Sequence, residues 1–413
     1  MRINHKRLLS RLSDLAAVGA LPGGGVQRLA FSEEDLAGRE FVAGHLRAIG
    51  LAPRIDAVGN LFAFRPALTP HSAPPVLLGS HTDTVGNAGR FDGALGVLAA
   101  LEVLETLHEN GVETGRPVGL ASFVNEEGVR FQPDMMGSLF LRGDLSTDAV
   151  RAAVDAEGRT IGSCLDDLAM AGDFDLRETP LSAFLELHIE QGPVLEETGR
   201  SVGAVTGVQG LRWLAVRFRG SANHAGTTPM AGRKDAMVAA AALATAVRVL
   251  TTETAGLRGT VGRLEAQPNL VNVIPAAVRM TVDLRHPDQS VLDASAERVR
   301  ELAEAAARSE ALEVEIAEAA SAPAVSFAPA VVDAVREAIA HLGYPQAELI
   351  SGAGHDAQIL ADHCPSGMIF IRSRDGVSHN PAEFSTDEDV VAGADVLLRA
   401  ALTLAGQPPS TDV

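Results

Sequence analysis

The run Val76-Leu-Leu-Gly-Ser-His81-Thr-Asp83-Thr-Val-Gly-Asn-Ala88-Gly-Arg-Phe-Asp92-Gly93 decides how the chain is read. An apolar stretch, then His-X-Asp, then a glycine-rich turn describes a buried strand whose carboxyl end delivers side chains into a crevice. Residues two apart in extended chain share a face, so His81 and Asp83 suit a metal ligand and its orienter. The imidazole binds through one nitrogen, while the carboxylate accepts from the other or tunes the site. Asp92 suits a bridging group, because Gly93 lets backbone approach closely.

Outward from this stretch, strand and helix patterns alternate. Glu34 to Ile49 reads as helix, Leu61 to Phe64 as strand, Gly93 to Asn110 as helix, and Val118 to Val124 and Ala183 to Ile189 as strands. Alternation of this kind predicts an α/β sheet wrapped by helices. The pattern changes near Gly210. Leu211–Phe218, Met237–Leu250, Val278–Leu284, Leu292–Ala306 and Val314–Ile316 then read as strand, helix, strand, helix, strand. A block of about 115 residues is the size of a small inserted domain. The expected organisation is therefore a catalytic domain of residues 1–210 and 325–413 and an inserted domain of 211–324. Ala328 to Leu342 resumes as helix, and the Gln407-Pro-Pro-Ser tail with Asp412 is expected to fray.

With 413 residues the chain has room for two domains. Hydrophobic residues make up 46% and charged residues 21%, as in a globular protein. The net charge of −19 argues against nucleic-acid binding, which depends on basic surface. Only two cysteines, Cys164 and Cys364, are present, and their spacing suits neither a disulfide framework nor a Cys-X-X-Cys site. Buried reduced thiols are expected, as in a reducing, cytoplasmic compartment. Arg11 and Asp14 interrupt the apolar N-terminus, so it reads as an amphipathic helix and not as a signal peptide. No membrane span is expected.

Five candidate ligands lie at loop positions beside apolar strands: His81, Asp92, Glu127, His188 and His379. Imidazole and carboxylate together suit zinc, manganese or cobalt, and two such ions about 3.5–4 Å apart need shared carboxylates. Glu126 and Glu127 follow a buried-looking strand. Adjacent residues in a regular strand face opposite ways, so one is expected to bind metal while the other faces the substrate as a general base. Glu190 and Gln191, after His188, are available for supporting or substrate contacts. His224, in Ser-Ala-Asn-His-Ala-Gly-Thr-Thr-Pro, has no role that its surroundings in sequence define.

These segments together resemble the dinuclear-metal amidohydrolase branch of the M20 metallopeptidase superfamily, the hydantoinase/carbamoylase amidases. The branch holds N-carbamoyl-L-amino acid hydrolases, β-ureidopropionases and allantoate amidohydrolases. The motifs fall in order over nearly the whole chain: Gly-Ser-His81-Thr-Asp83-Thr, Phe-Asp92-Gly-Ala-Leu-Gly, Asn-Glu126-Glu127-Gly-Val-Arg-Phe, Leu-His188-Ile-Glu-Gln-Gly-Pro, Asn-His224-Ala-Gly-Thr-Thr-Pro-Met, Asn269-Leu-Val-Asn272-Val-Ile-Pro, Asp283-Leu-Arg285, Ser-Gly-Ala-Gly354-His355-Asp356-Ala and Ser-His379-Asn-Pro-Ala-Glu383. The interval of 11 residues from His81 to Asp92, and a histidine at 188 where peptidases carry a carboxylate, place the chain with the amidohydrolases. Ala88 departs from the glycine that relatives often carry.

The resemblance implies a two-domain metallohydrolase: a mixed-sheet catalytic domain and an inserted α/β domain that serves as lid and dimer interface. It implies two divalent ions held by His81, Asp92, Glu127, His188 and His379, with Asp92 bridging and Glu126 as general base. Asp83 would support the catalytic set. His224 would reach into the partner subunit's site of a homodimer, and Gln191, Asn272, Arg285, Gly354 and His355 would contact substrate. The implied substrate is a small ureido compound with a carboxylate, an N-carbamoyl-L-amino acid, cleaved to amino acid, ammonia and carbon dioxide. Allantoate and β-ureidopropionate are the near alternatives. An N-acyl-amino acid deacylase, a peptidase or a non-catalytic metal-binding module stands further off.

Overall fold

Mainly apolar runs mark strands covered on both faces, and four such strands form the middle of one large sheet. The computed structural model describes residues 1–67 and 73–406, so the tail from Gln407 lies outside the described residues. The chain divides into two compact units, Met1–Gly207 with Ser326–Val413, and Val208–Val325. In the first, strands Val118–Phe123, Val76–His81, Ala183–Ile189 and Ser366–Ile371 lie side by side, each buried along its whole length. Neighbours among these four are parallel. Leu61–Arg65 and Arg54–Ile55 extend the sheet antiparallel on one side, and Val202–Val208 does so on the other.

Because these four strands are parallel, all of them end at the same edge. His81 stands opposite Phe123 and Phe370 opposite His188. The segments after Phe123, Ile189 and Ile371 therefore emerge beside His81. Behind the sheet lies helix Ala94–Glu109, buried over most of its length, with helices Asp387–Ala405 and Pro329–His341. Each fully buried leucine there contributes roughly 1.5–3 kcal/mol. The opening helix, His5–Ala16, is amphipathic as expected and buries Leu8, Leu12 and Leu15. Its Arg7 and Arg11 reach the buried Glu102 of helix Ala94–Glu109 at 2.7 and 3.4 Å. Cys164 and Cys364 are free and buried.

In the second unit a four-stranded antiparallel sheet runs Glu313–Ala322, Gly210–Arg219, Ala277–His286, Arg258–Gln267. Alternate residues Leu214, Val216, Phe218 and Val278, Met280, Val282, Leu284 pack under helices Ala236–Glu253 and Gln289–Ser309. This sheet thus has one strand more than the expected strand, helix, strand, helix, strand block, and the two-residue strands Asn223–His224 and Val273–Ile274 pair with each other. Arg258–Gln267 is an edge strand with two glycines and three charged residues, so no apolar period marks it. Helix Ala236–Glu253 has the length and hydropathy of a membrane span. It nevertheless turns Ala236, Ala239, Ala240, Leu243 and Val247 onto the sheet, leaving Val238 and Val249 about half exposed.

Candidate metal centre and active site

The last residue of Val76–His81 sets the site. His81 Nδ1 lies 2.9 Å from the Asp83 carbonyl oxygen. A carbonyl only accepts, so Nδ1 carries the proton and Nε2 is a bare donor atom. His188 repeats the device, with Nδ1 2.9 Å from the Ile189 carbonyl, and its Nε2 accepts from the Gly93 amide at 3.3 Å. A Cβ on Gly93, which has φ 61°, would stand 2.3 Å from the His81 ring, so only glycine fits between the imidazoles.

Asp92 stands at the centre. Its Oδ1 is 3.1 Å from His188 Nε2 and 3.8 Å from His81 Nε2, while Oδ2 is 3.4 Å from His379 Nε2. Glu127 Oε2 is 3.3 Å from the same His379 nitrogen. Two groups of donors result, His81–Asp92–His188 and Asp92–Glu127–His379, with all ligand atoms of each within 4.8 Å of one another. Asp92 belongs to both and turns a different oxygen to each. A third group, Glu186–His188–His355, differs: Glu186 already accepts from Ser80 Oγ at 2.6 Å and the Ala357 amide at 2.9 Å.

These residues fit divalent cations. Neutral imidazoles and carboxylates are the donors such ions take. Glu127 Oε1 is buried with no hydrogen-bond partner. Burial, then the negative charges of Glu127, Asp356 and Asp83, push Glu126 well above the carboxylate range. Burial and the neighbouring Asp92 and Asp83 raise Glu127 to about 9. So dense a set of buried carboxylates calls for compensating positive charge. Burial would raise Asp92 as well, yet with positive charge on the neighbouring His188, His379 and His81 it is held well below its usual value.

Two expectations are corrected. Asp83 does not orient His81 through its carboxylate, whose nearer oxygen stands 3.8 Å from Nδ1; its backbone carbonyl does that. The strand ends at His81, so the two residues do not share an extended segment. The Asp83 carboxylate instead accepts from the amides of Glu126 and Glu127, each at 3.3 Å. Nor do Glu126 and Glu127 alternate on a strand. That strand stops at Phe123, and Asn125 is left-handed at φ 51°, which turns both carboxylates to the cleft.

Gln191 donates from Nε2 to Asp92 Oδ2 at 2.9 Å, leaving its Oε1 buried without a partner. Gly354 and His355 line a cleft of about 190 Å³ with Asp92, Glu126, Glu127, His188, Gln191 and His379. His355 Nε2 pairs with Ser351 Oγ at 2.9 Å. His224, Asn272 and Arg285 belong to the second unit. There the exposed His224 accepts at Nδ1 from the amides of Gly226 and Thr227, at 3.0 and 3.2 Å, so its Nε2 is the protonated nitrogen. Asn272 adjoins it, its carbonyl accepting from the Ala225 amide. Arg285 is steadied by Asp283 at 3.1 Å. It lies eight residues along the strand from Ala277, roughly 27 Å of extended chain away.

Sequence reasoning missed the residues that hold Asp92. Glu383 accepts from the amides of Phe91 and Asp92, at 2.8 and 3.2 Å, and Ser378 Oγ donates to Asp92 Oδ2 at 2.7 Å. Both flank His379, and their nearness to that ligand was the one available signal.

Imidazoles and carboxylates gathered at the carboxyl edge of a mixed sheet, in a chain interrupted by a second α/β unit, define a hydrolase framework built for metal. The chain belongs to peptidase family M20/M25/M40, whose model matches residues 77–403. It is 41% identical over 407 residues to the N-carbamoyl-L-amino acid amidohydrolase of Geobacillus stearothermophilus, covering 98% of this chain and 99% of that one. Identity to the allantoate amidohydrolase of Bacillus subtilis is 35% over 386 residues, 93% of each chain. A hydantoinase/carbamoylase family amidase from Burkholderia multivorans has the same fold, with a TM-score of 0.94 at 41% identity over 98% of this chain and 99% of that one.

Glu383→Gln removes the charge that holds the Asp92 loop and should weaken divalent-metal affinity about 10- to 100-fold. Competition with a chromophoric chelator reads this directly, and unchanged affinity would detach Glu383 from the centre.

Proposed function

We propose that the protein hydrolyses the ureido C–N bond of N-carbamoyl-L-amino acids, giving the free amino acid, ammonia and carbon dioxide. The observation that carries this reading is the double donor set around Asp92, together with the likeness along the whole chain to N-carbamoyl-L-amino acid amidohydrolases. His81, His188 and Asp92 would hold one divalent ion and Asp92, Glu127 and His379 a second, with zinc, manganese and cobalt all compatible. Bound there, the ions supply Lewis acidity toward a poorly electrophilic carbonyl and ease the ionisation of water near neutral pH.

The protein's own groups do the rest. Glu126, 3.4 Å from His81 Nε2 and facing the cleft, takes a proton from the attacking water and returns it to the leaving nitrogen. Asp83 holds the amide of that residue and so fixes where its carboxylate points. The unpartnered Gln191 Oε1 accepts from a ureido N–H. His224, protonated at Nε2 by its local hydrogen bonds, donates to the developing oxyanion, and Asn272 binds substrate beside it. Arg285 takes the substrate carboxylate in a bidentate pair.

Arg285 lies roughly 27 Å of extended strand from Ala277, which is five residues after Asn272, and this favours drawing Arg285 from one copy and His224 with Asn272 from another. A homodimer in which His224 completes the partner's site reconciles them. The half-exposed Val238 and Val249 and the open edge strand Arg258–Gln267 are surface of the kind a second copy covers. Two free buried thiols suit a cytoplasmic enzyme.

Ammonia release by metal-loaded protein, measured over N-carbamoyl-L-amino acids, N-carbamoyl-β-alanine, allantoate and N-acetyl-amino acids with chelator controls, tests the reading. Chelator-sensitive turnover should be fastest on the N-carbamoyl-L-amino acids; free amine from the acylated compounds alone would refute it. Glu126→Gln should lower kcat by about 10²–10⁴-fold with bound metal retained. Turnover near the wild-type rate in that variant would remove Glu126 as the base. Arg285→Ala should raise KM for carboxylate-bearing substrates by at least about tenfold, and unaltered KM would take Arg285 out of the substrate site.

A further inference from the structure

The cleft beside the donor set has a fourth carboxylate that no ligand or base role uses. Asp134 lines it with Asp92, Glu126 and Glu127, and no lysine or arginine is among the lining residues. Asp134 is exposed to solvent, but the backbone on either side of it is fixed. The Met135 amide donates to the Glu126 carbonyl at 2.8 Å, the Met136 amide to Asn125 at 3.2 Å and the Gly137 amide to Val124 at 2.9 Å. Asn125 Nδ2 closes the intervening loop by donating to the carbonyls of Phe131 and Pro133 at 3.0 and 2.9 Å. Gly128 has φ 62°, and a Cβ there would stand 2.6 Å from Asp134 Cβ, so the loop folds tightly against this residue.

Met135 itself is left-handed at φ 52°, a conformation that costs a non-glycine residue energy and persists where the surroundings impose it. Its side chain lies along the opposite wall, with Cε 2.8 Å from where a Cβ on Gly354 would be. Among the described residues the Asp134 carboxylate has no hydrogen-bond or ion-pair partner other than its own amide. The proposed ion pair would be held by Asp92 and Glu127, and Glu126 would be occupied with the water proton. Asp134 is then the charged wall group left over for the substrate.

We propose that Asp134 is a specificity-determining residue that favours substrates whose side arm ends in a hydrogen-bond donor, a ureido or ammonium group, and disfavours anionic side arms. The inference rests on the ureido-hydrolase reading above. The α-carboxylate common to all these substrates is directed away from Asp134, toward the guanidinium proposed for it above, because no lysine or arginine lines the cleft.

The test is kcat/KM of the metal-loaded enzyme on Nα-carbamoyl derivatives of L-lysine, L-citrulline, L-norleucine and L-glutamate, and on allantoate, for wild type, Asp134→Asn and Asp134→Lys. Wild type should prefer the lysine and citrulline derivatives to the glutamate one. Asp134→Asn should cut the lysine-to-norleucine ratio at least about tenfold, acting through KM, and Asp134→Lys should reverse the lysine-to-glutamate order. If citrulline and allantoate follow lysine, the selected feature is the donor; if lysine alone responds, it is the charge. Competitive inhibition by free lysine and glutamate gives the same comparison without turnover. Identical ratios in wild type and variants, or an equal loss on every substrate, would overturn the proposal. Failure of wild type to turn over any ureido compound would instead sink the underlying reading.

Discussion

A single buried carboxylate, Asp92, has to satisfy two sets of neighbours at once, and the surrounding structure is organised around that demand. One oxygen faces His188 and His81; the other faces His379 and accepts from Gln191 and Ser378. An anion so buried is costly unless each lone pair is met. Glu383 fixes the loop from behind by gripping two amides, and Gly93 admits the backbone between two imidazoles. The register of Val76–His81 and Ala183–Ile189 matters for the same reason. A slip by one residue would turn His81 or His188 to the opposite face of the sheet.

Around Asp92 the protein separates chemically similar carboxylates by what each touches. Glu127 meets His379 and keeps one oxygen unpartnered. Asp83 and Glu383 spend their oxygens on backbone amides, and so act on the loops and not on a ligand. Glu126 faces the cleft, crowded by other negative charges. The histidines are sorted in the same way. Carbonyls hold the protons of His81 and His188 on Nδ1, whereas amides at Nδ1 leave His224 protonated on Nε2. Opposite tautomers suit opposite tasks, electron-pair donation in the first unit and hydrogen-bond donation in the second.

Much of this was legible in the sequence where local pattern and tertiary context agree. Three of the four buried parallel strands are marked by mainly apolar residues, and the helices Glu33–Ala48, Ala94–Glu109 and Gln289–Ser309 begin and end within a few residues of their apolar periods. Arg258–Gln267 and Ser366–Ile371 escaped. The first is a polar edge that only pairing with Ala277–His286 makes a strand, and the second is short and glycine-bearing, defined by neighbours far away in sequence. Asp83 was misread because strand geometry was carried two residues past its end.

The sequence by itself determined the class of fold and the family, and it marked the expected division of the chain near residues 210 and 325 and the side chains proposed to hold metal. Those properties follow from apolar period, glycine placement and donor chemistry, all of which are local. Only the tertiary structure decided which oxygen of Asp92 faces which histidine, that Asp83 and Glu383 serve amides, and that Asp134 stands unpartnered in the cleft. Such assignments depend on contacts between residues up to 292 positions apart, as between Glu383 and Phe91. They arise because parallel strands end at one edge and bring distant loops together, a geometry that no local pattern records.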